Sequence, residues 1–384
     1  MKIGFFTDTY LPNVDGVVTA ILTFRRELEK RNHKVFVFAA GDSDALKSNV
    51  DKRVFLYRSV PFPPYPQYKI AIFPYNSTAK ARRAGIELVH SHAIASMGLA
   101  AIKTSKEMNK PLVGTFHTLV SEAAKNYVKQ KWLKTVSDRL VWRAIKTFYA
   151  PFDLVTAPSE TTRKMLEDHG VAGTLNVPNG VDTERFNPGI DCGVVRKMLG
   201  VGKDEKLVVI PGRLSHEKNV DVILKAVPKV LKEDEKARFM VMGSGPAEAS
   251  CKQLAKRMNL GKSVVFAGFV QSFEVPFFYA AADLFATAST FETQGLAMLE
   301  NMACGNSCVA ADAMAIPEIL KEGENGFLFT PFDSDECAEK IVKALEMPQA
   351  SRKKMEKNAR KTAEKYSIPA CTDTLLDAYD EVID

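Results

Sequence analysis

Two carboxylates eight residues apart, Glu292 and Glu300, lie in the segment Ser289-Thr-Phe-Glu-Thr-Gln-Gly-Leu-Ala-Met-Leu-Glu300. The apolar run LFATA precedes it and a helical pattern through Met302 and Ala303 follows. Glu292 therefore belongs in the turn ahead of a helix, and Glu300 about a turn and a half inside it. The N–H groups around Gln294, Gly295 and Leu296 become the unpaired donors of a helix N-terminus, a seat for a diphosphate. A glycine at 295 lets a ligand approach the backbone closely. The same pattern also suits a Glu that merely favours the helix dipole and a second, exposed Glu further along. The stretch Pro211-Gly-Arg-Leu-Ser-His-Glu-Lys218 directly follows the apolar VVIP. Arg213 and Lys218 there offer a fork of donors and a point charge to one anion, unless they are two solvated surface cations.

Three further groups stand at the ends of apolar runs. The loop Asp8-Thr-Tyr-Leu-Pro-Asn-Val-Asp-Gly-Val-Val18 places Gly16 where a helical pattern begins. It lacks G-x-G-x-x-G, so a nicotinamide dinucleotide is not expected. His90 and His92 close the run LVHSH, and His117 closes LVGTFH. Each suits a site residue or a hydrogen-bonded structural histidine, and no carboxylate or cysteine spacing completes a zinc site. Lys125 to Phe148 holds seven basic residues, one Asp and both tryptophans. At helical spacing Leu133, Leu140, Ala144 and Phe148 share one side, and Lys125, Lys129, Arg139 and Arg143 another, with Trp132 among them. Such a helix suits an anionic membrane interface, or an ordinary surface helix whose apolar side joins the core. Gly261-Lys262-Ser263 ends like a P-loop, but Lys256 stands where a Gly is required. Asp42-Ser-Asp44 and Asp333-Ser-Asp335 lack further ligands, so no metal is assigned, and the absence of G-x-S-x-G removes a hydrolase elbow.

The elements that must position these groups form an α/β pattern. Apolar runs at Lys2–Thr7, Lys34–Ala40, Leu88–Ser91, Leu112–Phe116 and Leu154–Ala157 alternate with amphipathic stretches, and so do Leu207–Pro211, Arg238–Met242, Val264–Phe269, Leu284–Thr287 and Cys308–Ala311. Continuous runs fit strands covered on both faces and joined by right-handed crossovers. Each half reads as a doubly wound sheet. The division is expected between Phe186 and Lys206, giving domains 1–190 and 191–365, with 366–384 a final helix that returns to the first. Two sheets of this kind facing each other would gather their strand ends around one cleft.

The 384 residues, 46% hydrophobic and 26% charged, allow about two domains and exclude collagen-like or disordered chains. No run reaches the ~18 apolar residues of a membrane span. Asp8 interrupts the first run too early for a secretory signal, so a cytoplasmic protein is expected, with the inner face of the cytoplasmic membrane as a place of peripheral attachment. The six Cys (192, 251, 304, 308, 337, 371) read as reduced, buried thiols. Residues 1–185 carry 27 Lys+Arg against 17 Asp+Glu, and residues 186–384 carry 25 against 29. The first half therefore points to an anionic partner.

The set GR-L-x-x-E-K, Gly-Ser-Gly-Pro at 243–246, Gly-Phe-Val at 268–270 and Glu-x7-Glu at 292–300 resembles glycosyltransferase family 4, retaining enzymes of the GT-B fold. Asn179-Gly-Val-Asp182 and Pro317-Glu-Ile319 extend the likeness over nearly the whole chain. YLP-x-x-x-GVVT and ETQGL resemble the branch that glucosylates diacylglycerol and the related phospholipid-linked mannosyl transferases. Asn301 departs from the Ala common in the family; it is expected to be tolerated, with altered packing beside the ribose as the other outcome.

The resemblance implies a nucleotide diphosphate sugar as substrate, UDP-glucose favoured, and no cofactor or metal. Arg213 and Lys218 would bind the donor diphosphate, Glu292 the sugar hydroxyls and Glu300 the ribose. Thr293, Gln294, Gly295 and Leu296 would complete that seat with Gly212, and the backbone at Val270 would meet the base. Gly16 would let its loop close over the phosphate, and His117 would lie beside the reacting centre. Asp15 and the basic helix (Lys125, Lys129, Trp132, Arg139, Arg143) are assigned to the acceptor or membrane. A soluble sugar or polyol phosphate is the other acceptor class. A nucleotide-sugar epimerase of the same fold lacks a convincing acid/base pair. A non-enzymatic binder of anionic surfaces leaves the strand-end motifs without a purpose, and no nucleic-acid motif is present.

Overall fold

The computed structural model describes residues 1–13, 15–62, 65–72, 74–117 and 131–383. The chain forms two units, Met1–Gly180 with Ile368–Asp384, and Val181–Ser367. It leaves the first unit seven residues ahead of Asn187-Pro188-Gly189, and the helix Ile368–Ile383 belongs to that first unit.

The first unit carries strands β1 (Lys2–Thr7), β2 (Lys34–Gly41), β3 (Val54–Phe62), β4 (Tyr65–Ala71), β5 (Leu88–Ser91), β6 (Leu112–Thr115), β7 (Leu154–Ala157) and β8 (Thr174–Asn176). They form one sheet in the order β4-β3-β2-β1-β5-β6-β7-β8, with β4 antiparallel to β3 and the remaining pairs parallel. The runs Leu-Val-His-Ser and Leu-Val-Thr-Ala are buried at every position because crossover helices cover both faces. Phe6 and Phe38 stack on one face with ring centroids 4.5 Å apart, packed with Met97 and Ala101.

The second unit carries β9 (Lys206–Pro211), β10 (Ala237–Met242), β11 (Val264–Gly268), β12 (Leu284–Thr287), β13 (Cys308–Ala311) and β14 (Gly326–Phe329), all parallel, in the order β11-β10-β9-β12-β13-β14. Alternation along β9 divides its core into two layers. Val208 and Ile210 pack with Ile223, Val227 and Ile341, whereas Leu207 and Val209 pack with Met298, Leu299, Met302 and Ala359. Strand order reverses between β1 and β5 in one sheet and between β9 and β12 in the other, and ligands of such folds bind at the carboxyl ends beside that reversal. Asp8 and His92 follow β1 and β5. Arg213 and the Glu292 loop follow β9 and β12.

Candidate functional site

In the second unit the loop after β9 and the loop after β12 are tied together. Lys218 Nζ donates to Glu292 Oε1 at 2.5 Å, and both side chains are largely buried. The Asn219 side-chain amide donates to the Ala288 carbonyl and to Thr290 Oγ1, both at 3.2 Å. Arg213 lies one residue past Gly212 and is exposed, with no hydrogen bond or ion pair to its side chain among the described residues. Its guanidinium is left for an anion. Thr293 and Gln294 follow Glu292 in the same loop, with Gln294 buried.

Gly295 adopts φ +95° at the start of the helix Leu296–Ala303 and, having no side chain, makes no cap bond of its own there. An L-residue rarely takes this conformation, so the glycine fixes where the helix begins and adds no side chain over its first amides, the kind of end that suits an anion. One turn in, Glu300 is half-buried. Burial pushes its carboxyl up to about 7, offset in part by the positive charge of Arg185. The exposed Glu that the spacing also allowed is therefore not what forms. Arg185 donates to the Ser272 carbonyl, donates to Ser272 Oγ at 3.2 Å and lies over the Phe186 ring, fixing the stretch just past Val270. Asn301 points away from the solvent side of the helix. Its amide is fully buried on the core side, where its oxygen accepts from Asn306 at 3.1 Å.

The purpose of Gly-Ser-Gly-Pro emerges only from packing. A Cβ on Gly243 would stand 2.0 Å from the Gly212 carbonyl oxygen, and one on Gly245 2.4 Å from that of Leu214. Leu214 N–H donates to the Ser244 carbonyl at 3.0 Å. The two glycines let this loop press against the backbone that carries Arg213. Arg185 escaped sequence reasoning, and the glycine pair was singled out only as a motif, because their roles lie in neighbours distant along the chain.

In the first unit Asp8 is buried and accepts from the Ala95 and Met97 N–H groups and the Ser96 hydroxyl at 2.9–3.0 Å, so it caps the helix Ser96–Met108. Burial raises its pKa, against the lowering effect of those donors. Asp15 accepts from Val18 N–H and from Thr9 Oγ1, each at 2.8 Å, and its carboxylate is engaged in starting the helix Gly16–Lys30. Gly16 is exposed, with open space where a Cβ would stand.

The histidines divide. His90 is wholly structural: Tyr379 Oη lies 2.6 Å from its Nδ1 and Thr115 Oγ1 2.7 Å from its Nε2, and Thr115 in turn meets Thr156 at 2.7 Å. His92 Nδ1 lies 2.8 Å from His117 Nε2. Burial lowers His90 to about 3, His117 to about 4 and His92 well below its ordinary value, so all three are neutral near pH 7.

Lys125 and Lys129 lie outside the described residues, and Trp132 lies in the helix Lys131–Tyr149 where side chains are not described. Arg139 and Arg143 are exposed. The core-facing side of this helix is Trp142, Ile145 and Tyr149 rather than the expected Leu140, Ala144 and Phe148, because Trp142 stacks on His169 at 3.8 Å between centroids. Leu140, 60% exposed, and Phe148 instead line an open apolar groove of about 520 Å³ with Leu99 and Ile102. Among the described residues no helix is long and apolar enough to cross a membrane. Asp42 and Asp333 each cap a helix N-terminus, which accounts for both D-x-D triplets. The cysteines are free thiols, five of them buried and Cys192 half-buried.

Residues 14–185 match the family described as Glycosyltransferase Family 4, and residues 194–362 the one described as Glycosyl transferases group 1. The chain is 32% identical over 351 residues to the alpha-monoglucosyldiacylglycerol synthase of Streptococcus pneumoniae, covering 90% of this chain and 78% of that one. It is also 32% identical over 368 residues to the sulfoquinovosyl transferase SQD2 of Arabidopsis thaliana, covering 94% and 69%. Among solved structures, Anabaena HepE in complex with UDP-glucose superposes with a TM-score of 0.78 at 22% identity, over 99% of this chain and all of that one.

Proposed function

We propose, for a chain that belongs to glycosyltransferase family 4 and is a glycosyltransferase of the GT-B fold, that it moves a hexose from a nucleotide diphosphate sugar, UDP-glucose first, to a hydroxyl of a membrane lipid such as diacylglycerol. The observation that carries this reading is Arg213, without a partner among the described residues, on the loop that also binds Glu292 through Lys218, together with the glycine-started helix at Gly295. Breaking the sugar–phosphate bond leaves negative charge on the nucleoside diphosphate. A guanidinium, an ammonium and helix-start amides can stabilise that charge without a metal. Lys218 would then exchange part of its bond to Glu292 for the phosphate, and Glu292 would accept sugar hydroxyls. Glu300 would accept from the ribose, and the backbone at Val270, held by Arg185, would meet the base.

As the leaving bond opens, the anomeric carbon gains oxocarbenium character. The acceptor hydroxyl attacks from the face the phosphate leaves, and a phosphate oxygen takes its proton. Configuration is retained. His117 would offer its ring to a substrate hydroxyl, and the helix start at Gly16 would approach a phosphate. The diacylglycerol in the name of the S. pneumoniae relative supports a lipid acceptor. So does the apolar groove at Leu99 and Leu140, lined also by the exposed Arg143, which suits an anionic bilayer surface at which the protein would attach. A panel of radiolabelled sugar nucleotides against diacylglycerol vesicles and soluble acceptors tests both halves. Transfer to lipid from UDP-glucose is the expected result. Transfer only to a soluble acceptor removes the membrane half, and no transfer from any donor removes the reading.

A further inference from the structure

Among the described residues, His92 is the member of the histidine group with a fully buried nitrogen left unmet. Its Nδ1 meets His117 Nε2 at 2.8 Å, while its buried Nε2 has no hydrogen-bond partner among the described residues. Its backbone N–H is fixed to the Phe6 carbonyl at 2.8 Å, and its ring is held by Phe5, edge-on at 4.7 Å, and by His90 at 4.1 Å between centroids. The ring therefore has a fixed place. With His90 committed to Tyr379 and Thr115, His92 is the neighbour that governs the His117 ring.

Both rings are neutral near pH 7, since burial disfavours the cation in each. One proton then occupies the gap between them. If His117 supplied it, His92 would accept on Nδ1 and carry its own proton on Nε2, an orphaned buried N–H. If His92 supplies it, its Nε2 is a bare nitrogen instead. Among backbone groups an orphaned buried N–H is rarer than an under-satisfied acceptor, and the same preference carried over to the imidazole favours the bare nitrogen.

We infer that His92 is a positioning residue that donates from Nδ1 to His117 Nε2, so that His117 carries its proton on Nδ1 and presents an N–H donor to a substrate hydroxyl. His117 is then a hydrogen-bond donor rather than a proton acceptor. Only the last step, the substrate hydroxyl, rests on the transferase reading above.

Long-range ¹H–¹⁵N correlation spectra of the full chain with ¹⁵N-labelled histidine read the tautomer directly. In the unsubstituted protein, His117 is expected as the Nδ1–H form alone. In His92→Phe, which keeps ring volume and removes the donor, the His117 signals should move toward the Nε2–H form. In His92→Asn, whose amide nitrogen takes the place of Nδ1, they should return. Transfer from UDP-glucose should follow the same order, with kcat down about tenfold in His92→Phe and recovered at least in part in His92→Asn. Unchanged signals from His33, His169 and His216 certify the fold, and the spectrum of the unsubstituted protein stands even if His92→Phe does not fold. An Nε2-protonated His117, or a tautomer indifferent to His92→Phe, overturns the inference. The expected tautomers without turnover of any sugar nucleotide leave it standing and remove the transferase reading instead.

Discussion

Replacing Glu300 with Gln should stabilise the protein and weaken it as a nucleotide binder, each with a defined dependence on pH. Burial holds the Glu300 carboxyl near 7 against an ordinary 4.5, with Arg185 opposing. That gap is equivalent to about 3 kcal/mol, an upper figure for a half-buried group. The native state binds this proton more tightly than the unfolded chain does. Ionised Glu300 therefore costs nothing below about pH 4.5, progressively more from there to about 7, and its full amount above. Glu300→Gln should raise the unfolding free energy at pH 8 by up to ~3 kcal/mol and leave it unchanged at pH 4. A ribose that donates to the carboxylate requires the ionised form, so UDP affinity should rise about tenfold per pH unit below 7 and level off above it. Titration calorimetry with UDP between pH 5 and 9, on both proteins, separates this from the phosphate's own ionisation, which cancels in the ratio. Denaturant unfolding at the two pH extremes gives the stability arm. A variant less stable at pH 8, or affinity curves of the same shape in both proteins, refutes the reasoning.

Arg213→Ala removes the free guanidinium and should lower kcat about a hundredfold, equivalent to ~3 kcal/mol, with unfolding unchanged; steady-state transfer assays and a melting curve check both. Gly243→Ala forces a Cβ into the Gly212 carbonyl and should destabilise the second unit by about 3 kcal/mol while displacing the Arg213 loop, read by urea unfolding and by loss of UDP binding. Tyr379→Phe strands His90 Nδ1 in the core and should lower the stability of the first unit by about 1–3 kcal/mol, seen in the same unfolding experiment.

Elements and site differ in how much of each can be read from residues alone. The doubly covered strands declare themselves, because burial on both faces demands unbroken apolar runs such as LVVI before Pro211 or CVAA at 308–311. The pair β3 and β4 at one end of the sheet does not: the edge strand YPQYKIA carries a proline and a lysine, and in its neighbour VFLYRSVPF a charge and a proline break the apolar run after Tyr57. The three-residue β8 is too short to stand out. At the site, Glu292 and Gly295 were legible because the transition from strand to helix is local. Spacing could not separate His90 from His92 and His117, since the decision rests with Tyr379, 289 residues from His90. Nor could it show which side of the helix Lys131–Tyr149 turns inward, which depends on His169 beneath Trp142.

The Tyr379–His90 bond also bears on the order in which the polypeptide matures. Domains ordinarily fold as the ribosome releases them, the earliest first. Here the sheet that starts at Lys2 waits for a helix made after the whole of Val181–Ser367, so the later-encoded unit has everything it needs before the earlier one does. A chain released short of Tyr379 would therefore hold a finished second unit and leave His90 at the heart of an unsealed first one.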